Sequence, residues 1–166
     1  MTVTFSYGGN HRYLGNAFQG AQNWTNLGLP IKVVPAAKGT VGDITFTDVN
    51  VKDGYNGQTE APASWQSKNP PYDVPWTTKL SSYNVPTRIN IKLNMRTMDP
   101  LNDFQRSKVT THEIGHALGL GHTDSCGLST TSILNQGSSG VGLYPFNSPQ
   151  YYDRSNLQQL YDLPTG

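Results

Sequence analysis

The sequence predicts an α+β fold in one domain spanning residues 1–166, and three observations carry that expectation. "TVTFSY" (2–7) and "TRINIKLNM" (87–95) alternate apolar and polar residues with the period of a half-buried strand. Residues 10–27 instead place apolar residues at helical spacing. The segments then run strand, helix, strand, strand, weak strand, strand, helix, long loop, helix, without repeats or an internal linker.

Taken in order, the first strand ends at Gly8-Gly9, a turn signal. From Asn10 to Leu27 the residues Tyr13, Leu14, Ala17, Phe18, Ala21 and Trp24 mark one helix face, weakened by Gly15 and Gly20. "IKVVPA" and "DITFTDVNV" read as the second and third strands. Residues 53–86 are rich in Gly, Asn, Pro, Ser and Tyr, with room for an edge strand, where Pro62 is tolerable. In "TRINIKLNM" the residues Ile89, Ile91 and Leu93 share a face, and "DPLN" ends the strand. A helix from Asp103 to Leu118 follows, with Gly119 suited to the left-handed position after it. A Gly/Ser-rich loop leads to "YDRSNLQQLYDL", where Leu157, Leu160 and Tyr161 share a helical face and Pro164 stops the helix.

Composition excludes several functions. The net charge is +1 and charged residues make up 14%, so nothing favours nucleic acid or an anionic membrane. No apolar run reaches the length of a membrane span. The single cysteine, Cys126, rules out an intrachain disulfide. "MTVTFSYGG" does not read as a signal peptide, so a secreted protein would be present here in a mature or trimmed form.

Three of the four histidines fall in "HEIGHALGLGH" (112–122). His112 and His116 are four apart on the predicted helix, so their rings reach a common point. Gly119 permits a sharp turn that returns His122 to the same point as a third nitrogen. Three protein ligands with a place left for water are the arrangement of a catalytic Zn2+. Glu113, rotated about 100° around the helix, reaches that water without being a ligand. A histidine pair at i, i+4 is by itself a common feature of helix surfaces, but five specified residues at these fixed spacings are not. Such a site activates a zinc-bound water, with Glu113 taking its proton and later delivering it to a leaving amine. Peptide-bond hydrolysis uses every part.

His112-Glu113-x-x-His116-x-x-Gly119-x-x-His122 resembles the signature of the metzincin clan of zinc endopeptidases, and the chain as a whole is most similar to small bacterial matrixin-like members. Thr123 after the third histidine, "INIKLNM" ahead of the motif and "YDRSNLQQLYDLP" add to the likeness. The resemblance implies a twisted five-stranded mixed sheet with two long helices and a C-terminal helix, with an active-site cleft across the domain. Its antiparallel edge strand would lie within residues 53–70 and bind an extended protein or peptide substrate by strand addition. The family's turn methionine aligns with Leu134 in "TSILNQG", a departure that leucine's similar volume should tolerate. Gln136 stands where some members have a functional tyrosine. Tyr144 or Tyr151 is a candidate wall of the S1′ pocket.

Some residues tempt but carry less. His11 alone cannot build a second, structural zinc site, and Cys126 reads as a small packing residue. Calcium is common in the family, yet Asp43, Asp48 and Asp53 form no recognisable loop, so Ca2+ ligands stay unassigned. The sequon Asn23-Trp24-Thr25 lies on a predicted helix. The expectation is an extracellular, monomeric zinc endopeptidase with catalytic Glu113 and metal ligands His112, His116 and His122. The alternatives are a zinc-binding, catalytically weak or inactive domain that recognises peptides, and a metal-dependent hydrolase of other substrates. Retention of Glu113 argues against the first of these, because binding needs no base.

Overall fold

The structure is a computed structural model that describes residues 1–60, 88–123, 131–135 and 145–164. Five strands form one sheet: β1 (Thr2–Tyr7), β2 (Lys32–Pro35), β3 (Ile44–Val49), β4 (Gly57–Glu60) and β5 (Ile89–Asn94), in the order β2-β1-β3-β5-β4. All neighbours are parallel except β4, which runs antiparallel to β5 at the sheet edge with Thr59 opposite Ile91. This is the mixed sheet the resemblance implies, and the weak strand between residues 53 and 86 is β4.

Strand alternation is resolved by one covered face. Val3, Phe5, Val33, Ile44, Phe46, Ile89, Ile91 and Leu93 are all 0–3% exposed. Their neighbours Thr4, Ser6, Thr45, Thr47, Asn90 and Lys92 line the opposite, wetter face. Across that face Thr47 donates to Asn90 and Lys92 pairs with Glu60. The covered face lies under α1 (Leu14–Thr25) and α3 (Asp103–Ala117).

The two helices cross closely because Gly20 has no side chain. A Cβ there would lie 2.8 Å from Thr110 Oγ1 and 3.0 Å from the Thr110 backbone. Beside this crossing Trp24 is fully buried, and its indole N–H donates to the Thr111 carbonyl at 2.8 Å. Burying one such side chain stabilises the fold by about 2–3 kcal/mol, and the hydrogen bond removes the cost of burying its polar atom.

Helix α1 is shorter than its periodicity predicts. His11 adopts φ 57° and Tyr13 is the N-cap without a side-chain cap bond, so the helix begins only at Leu14. At its other end Asn26 is the C-cap, and Gly28 at φ 78° carries the chain away.

A short helix, α2 (Met95–Met98), follows β5 directly and is not visible in the sequence pattern. Asn94 creates it. Its side-chain oxygen caps Arg96 N, while its amide donates to the carbonyls of Val51, Asp53 and Tyr55. Helix α3 then begins at a capping box between Asn102 and Gln105. The C-terminal helix α4 (Tyr151–Tyr161) ends at Asp162 in the left-handed conformation, two residues before Pro164.

Candidate active site

Helix α3 carries His112, Glu113 and His116, and the chain leaves it through Leu118 and Gly119. Gly119 takes φ 99°, the conformation expected of it, and a Cβ there would meet Leu160 Cδ2 of α4 at 2.9 Å. Close by, Tyr161 Oη donates to the Leu118 carbonyl at 2.7 Å, so α4 fastens the turn. After that turn His122 comes back to the helix face.

The three Nε2 atoms converge: His112 to His116 is 3.0 Å, His116 to His122 is 3.0 Å and His112 to His122 is 3.2 Å. Tautomers decide what this means. His112 Nδ1 lies 2.8 Å from the Ile133 carbonyl, and His116 Nδ1 lies 2.7 Å from the Leu120 carbonyl. A carbonyl oxygen only accepts, so both Nδ1 atoms carry the proton and both Nε2 atoms present lone pairs. Two lone pairs 3.0 Å apart repel unless a cation lies between them. Nitrogens held tetrahedrally at zinc are about 3.3 Å apart, given bonds of about 2.0–2.1 Å. The donor set therefore fits zinc in number, type and spacing. Burial, together with the neighbouring His112, pushes the His116 pKa down to about 4, which keeps its ring neutral and able to donate its lone pair at neutral pH.

Glu113 is 6% exposed and turns toward the edge strand. Its Oε2 accepts a hydrogen bond from Thr59 Oγ1 at 2.6 Å. Burial raises its pKa above the ordinary carboxylate value, while nearby His116 and the Thr59 bond pull it back down. Gly57 lets β4 come this close. A Cβ at that position would lie 2.7 Å from Glu113 Cγ, 2.9 Å from Val109 Cγ1 and 3.0 Å from Glu113 Oε1.

Beneath the histidines runs the segment 131–135. Leu134 is 1% exposed, and its Cδ2 would lie 2.8 Å from a Cβ on Gly115, the residue just before His116. Its carbonyl accepts from Thr123 N, next to His122. Asp153 of α4, also 1% exposed, accepts from Ser132 Oγ, from Ile133 N at 2.9 Å and from Gln150 N at 2.8 Å. Burial raises the Asp153 pKa, and these donors oppose the rise.

The remaining candidates fall as follows. Tyr151 is 82% exposed at the start of α4 and lines an open depression with Thr131, Gln150 and Tyr152. Tyr144, Gln136, Cys126 and Pro62 lie outside the described residues, as does the 61–70 part of the expected edge strand. His11 is exposed three residues ahead of α1, its ring against the Tyr7 carbonyl. Asn23 donates to Thr111 Oγ1 and to the Asn147 carbonyl, so the sequon asparagine is a packing residue. Asp43 accepts from Thr4, and Asp48 from Tyr7 and Arg12. Among the described residues only the three histidines form a group of His, Cys, Asp or Glu that could hold a metal, so a calcium site is not supported.

Thr59, Gly57 and Asp153 are site residues that sequence reasoning misses. The "GQT" of β4 carries no motif, and Asp153 reads as an ordinary first-turn acid of a helix.

A mixed sheet with an antiparallel edge strand over a histidine-bearing helix, and a third histidine returned by a glycine turn, defines a metzincin-type zinc peptidase domain. The chain belongs to the matrixin family, whose family model matches residues 7–162. Two solved structures of myroilysin are similar to it. One is 24% identical with a TM-score of 0.47, over 74% of this chain and 49% of its own length. The other is 16% identical with a TM-score of 0.56, over 96% of this chain and 82% of its own length, a likeness of fold. This chain thus spans about half of the first and most of the second. No curated protein matches it.

Proposed function

We propose that this chain is a secreted, monomeric zinc endopeptidase that works as a single catalytic domain, with His112, His116 and His122 as metal ligands and Glu113 as general base. The observation that carries the reading is the convergence of three imidazole nitrogens, two with lone pairs turned inward by carbonyl-held tautomers, beside a buried carboxylate. Zinc held there would act as a Lewis acid and lower the pKa of a coordinated water to about 7. Glu113 accepts a proton from the attacking water and passes it to the leaving amine. Strand β4, whose outer edge faces away from β5, offers backbone groups to an extended peptide. Matrixin membership supports a peptide substrate and an extracellular setting. No helix among the described residues is long and apolar enough to cross a membrane.

The test is cleavage of an unfolded protein by the zinc-loaded chain, by the chelator-treated chain and by Glu113→Gln. Cleavage that disappears in the last two supports the reading. A parent that cuts nothing across varied unfolded proteins would sink the peptidase assignment, leaving a zinc-dependent peptide binder. Undiminished cleavage by Glu113→Gln would remove Glu113 from the mechanism.

A further inference from the structure

Thr59 stands at the meeting of the edge strand and the base. Its hydroxyl lies 2.6 Å from Glu113 Oε2 and 3.0 Å from the Glu113 carbonyl oxygen. It carries one proton and faces two acceptors on the same residue. The shorter contact is to the carboxylate, where charge strengthens the bond. We infer that Thr59 is a positioning residue for Glu113: it occupies Oε2 and so leaves Oε1 as the oxygen that exchanges protons with substrate and water. The inference rests on the peptidase reading above.

Three features support it. Among the described residues, Thr59 supplies the only side-chain hydrogen bond to the Glu113 carboxylate. Gly57, two residues back on the same face of β4, puts no side chain against Oε1, where a Cβ would sit 3.0 Å from that oxygen. The hydroxyl can also serve both states of the base. While Glu113 is ionised, Thr59 donates to Oε2. With the proton on Oε1, Oε2 is a carbonyl-type oxygen and still accepts from the same hydroxyl. The carboxylate therefore need not rotate between its two jobs. A carboxylate without this bond samples several rotamers, and misplacement of a reacting group by even an ångström is costly.

The experiment compares Thr59→Val, which keeps the shape and loses the hydroxyl, with Thr59→Ser, which keeps the hydroxyl. Both are zinc-loaded and assayed on an unfolded protein. The expected result is a kcat lowered roughly 10- to 100-fold in Thr59→Val, the range found when groups orienting a metal site are removed. KM and bound zinc should stay within about twofold, and Thr59→Ser should recover most of the loss. Unchanged kcat in Thr59→Val would overturn the inference. So would a Thr59→Ser variant as weak as Thr59→Val.

A second readout does not depend on turnover. Titration of the zinc-loaded chain with acetohydroxamate, which binds zinc and hydrogen-bonds a neighbouring carboxylate, should show weaker affinity in Thr59→Val. In a Glu113→Gln background the same substitution should change nothing further, and additive losses would refute the coupling. A parent that cleaves nothing would refute only the peptidase reading, because the titration still decides whether Thr59 acts through Glu113.

Discussion

Asp153 holds Ile133, and Ile133 holds His112. The carboxylate on α4 accepts the Ile133 backbone N–H at 2.9 Å, and the carbonyl of that same residue faces His112 Nδ1 at 2.8 Å. One peptide segment thus links a buried acid to the His112 ring. Asp153→Ala strands three donors, on Ser132, Ile133 and Gln150, and should cost about 2–4 kcal/mol in a urea melt. It should also weaken zinc binding roughly 10- to 100-fold in competition with a chromogenic chelator, because His112 loses its fixed tautomer and orientation. Unchanged zinc affinity in a folded variant would show that the linkage carries no strain to the ring.

Metal removal tests the lone-pair argument. Two inward-facing lone pairs at a 3.0 Å spacing would repel without a cation between them. Zinc at about a hundredfold its dissociation constant should stabilise the fold by about 2.7 kcal/mol. For a domain of this length that is a rise in Tm of roughly 5–10 °C, read by calorimetry with and without chelator. His116→Ala should abolish both the shift and the peptidase activity.

Leu134 and Gly115 form a tight pair. Leu134→Met keeps volume, so it should change stability by less than about 1.5 kcal/mol and leave the cleavage rate within a few-fold of the parent. Gly115→Ala inserts a methyl 2.8 Å from both Leu134 Cδ2 and Trp24 Cζ2. Overpacking of this kind costs about 1–3 kcal/mol, more than alanine gains over glycine in a helix. An unbranched side chain yields more readily, so Leu134→Met should recover part of that loss in the double variant. Thermal melts of the four proteins read the coupling.

The acid side of stability should carry a signature of Asp99. The Tyr13 hydroxyl and the Arg12 guanidinium both donate to its carboxylate and hold its pKa below the ordinary 3.8. A folded-state value below the unfolded one means that ionised Asp99 stabilises the fold above pH 3.8. That contribution is lost as pH falls through 3.8 and on through the folded value. Asp99→Asn should therefore flatten this part of the melting curve against pH. The difference should shrink in high salt, since Arg12 and Asp99 are both exposed. Parallel curves for the two proteins would contradict this.

The sequence discloses what is local and misses what is not. Ile89, Ile91 and Leu93 announce their shared face because a strand repeats every two residues, and all three are fully buried. His112, His116, Gly119 and His122 fall within eleven positions, so helix geometry and one glycine turn bring them together. The helix ends are less legible. Asn10–Leu27 contracts to Leu14–Thr25 because His11 is left-handed, a backbone state that apolar spacing does not encode. Helix α2 depends on Asn94 gathering carbonyls from residues 51, 53 and 55, some forty positions away in the chain. Thr59 meets Glu113 across fifty-four positions and Asp153 meets Ile133 across twenty, each through tertiary contact alone.

Gly57 sets a clearance. A single missing carbon lets the sheet margin lie against the flank of α3, with Val109 on one side and the Glu113 stem on the other. Any larger residue there would act as a shim, levering the margin outward and lifting Thr59 off the acid two positions later. Gln58 and Glu60 point the other way and are exposed, so they can vary without touching that gap. The distance between the edge strand and the Glu113 carboxylate is therefore gauged by an atom the chain does without.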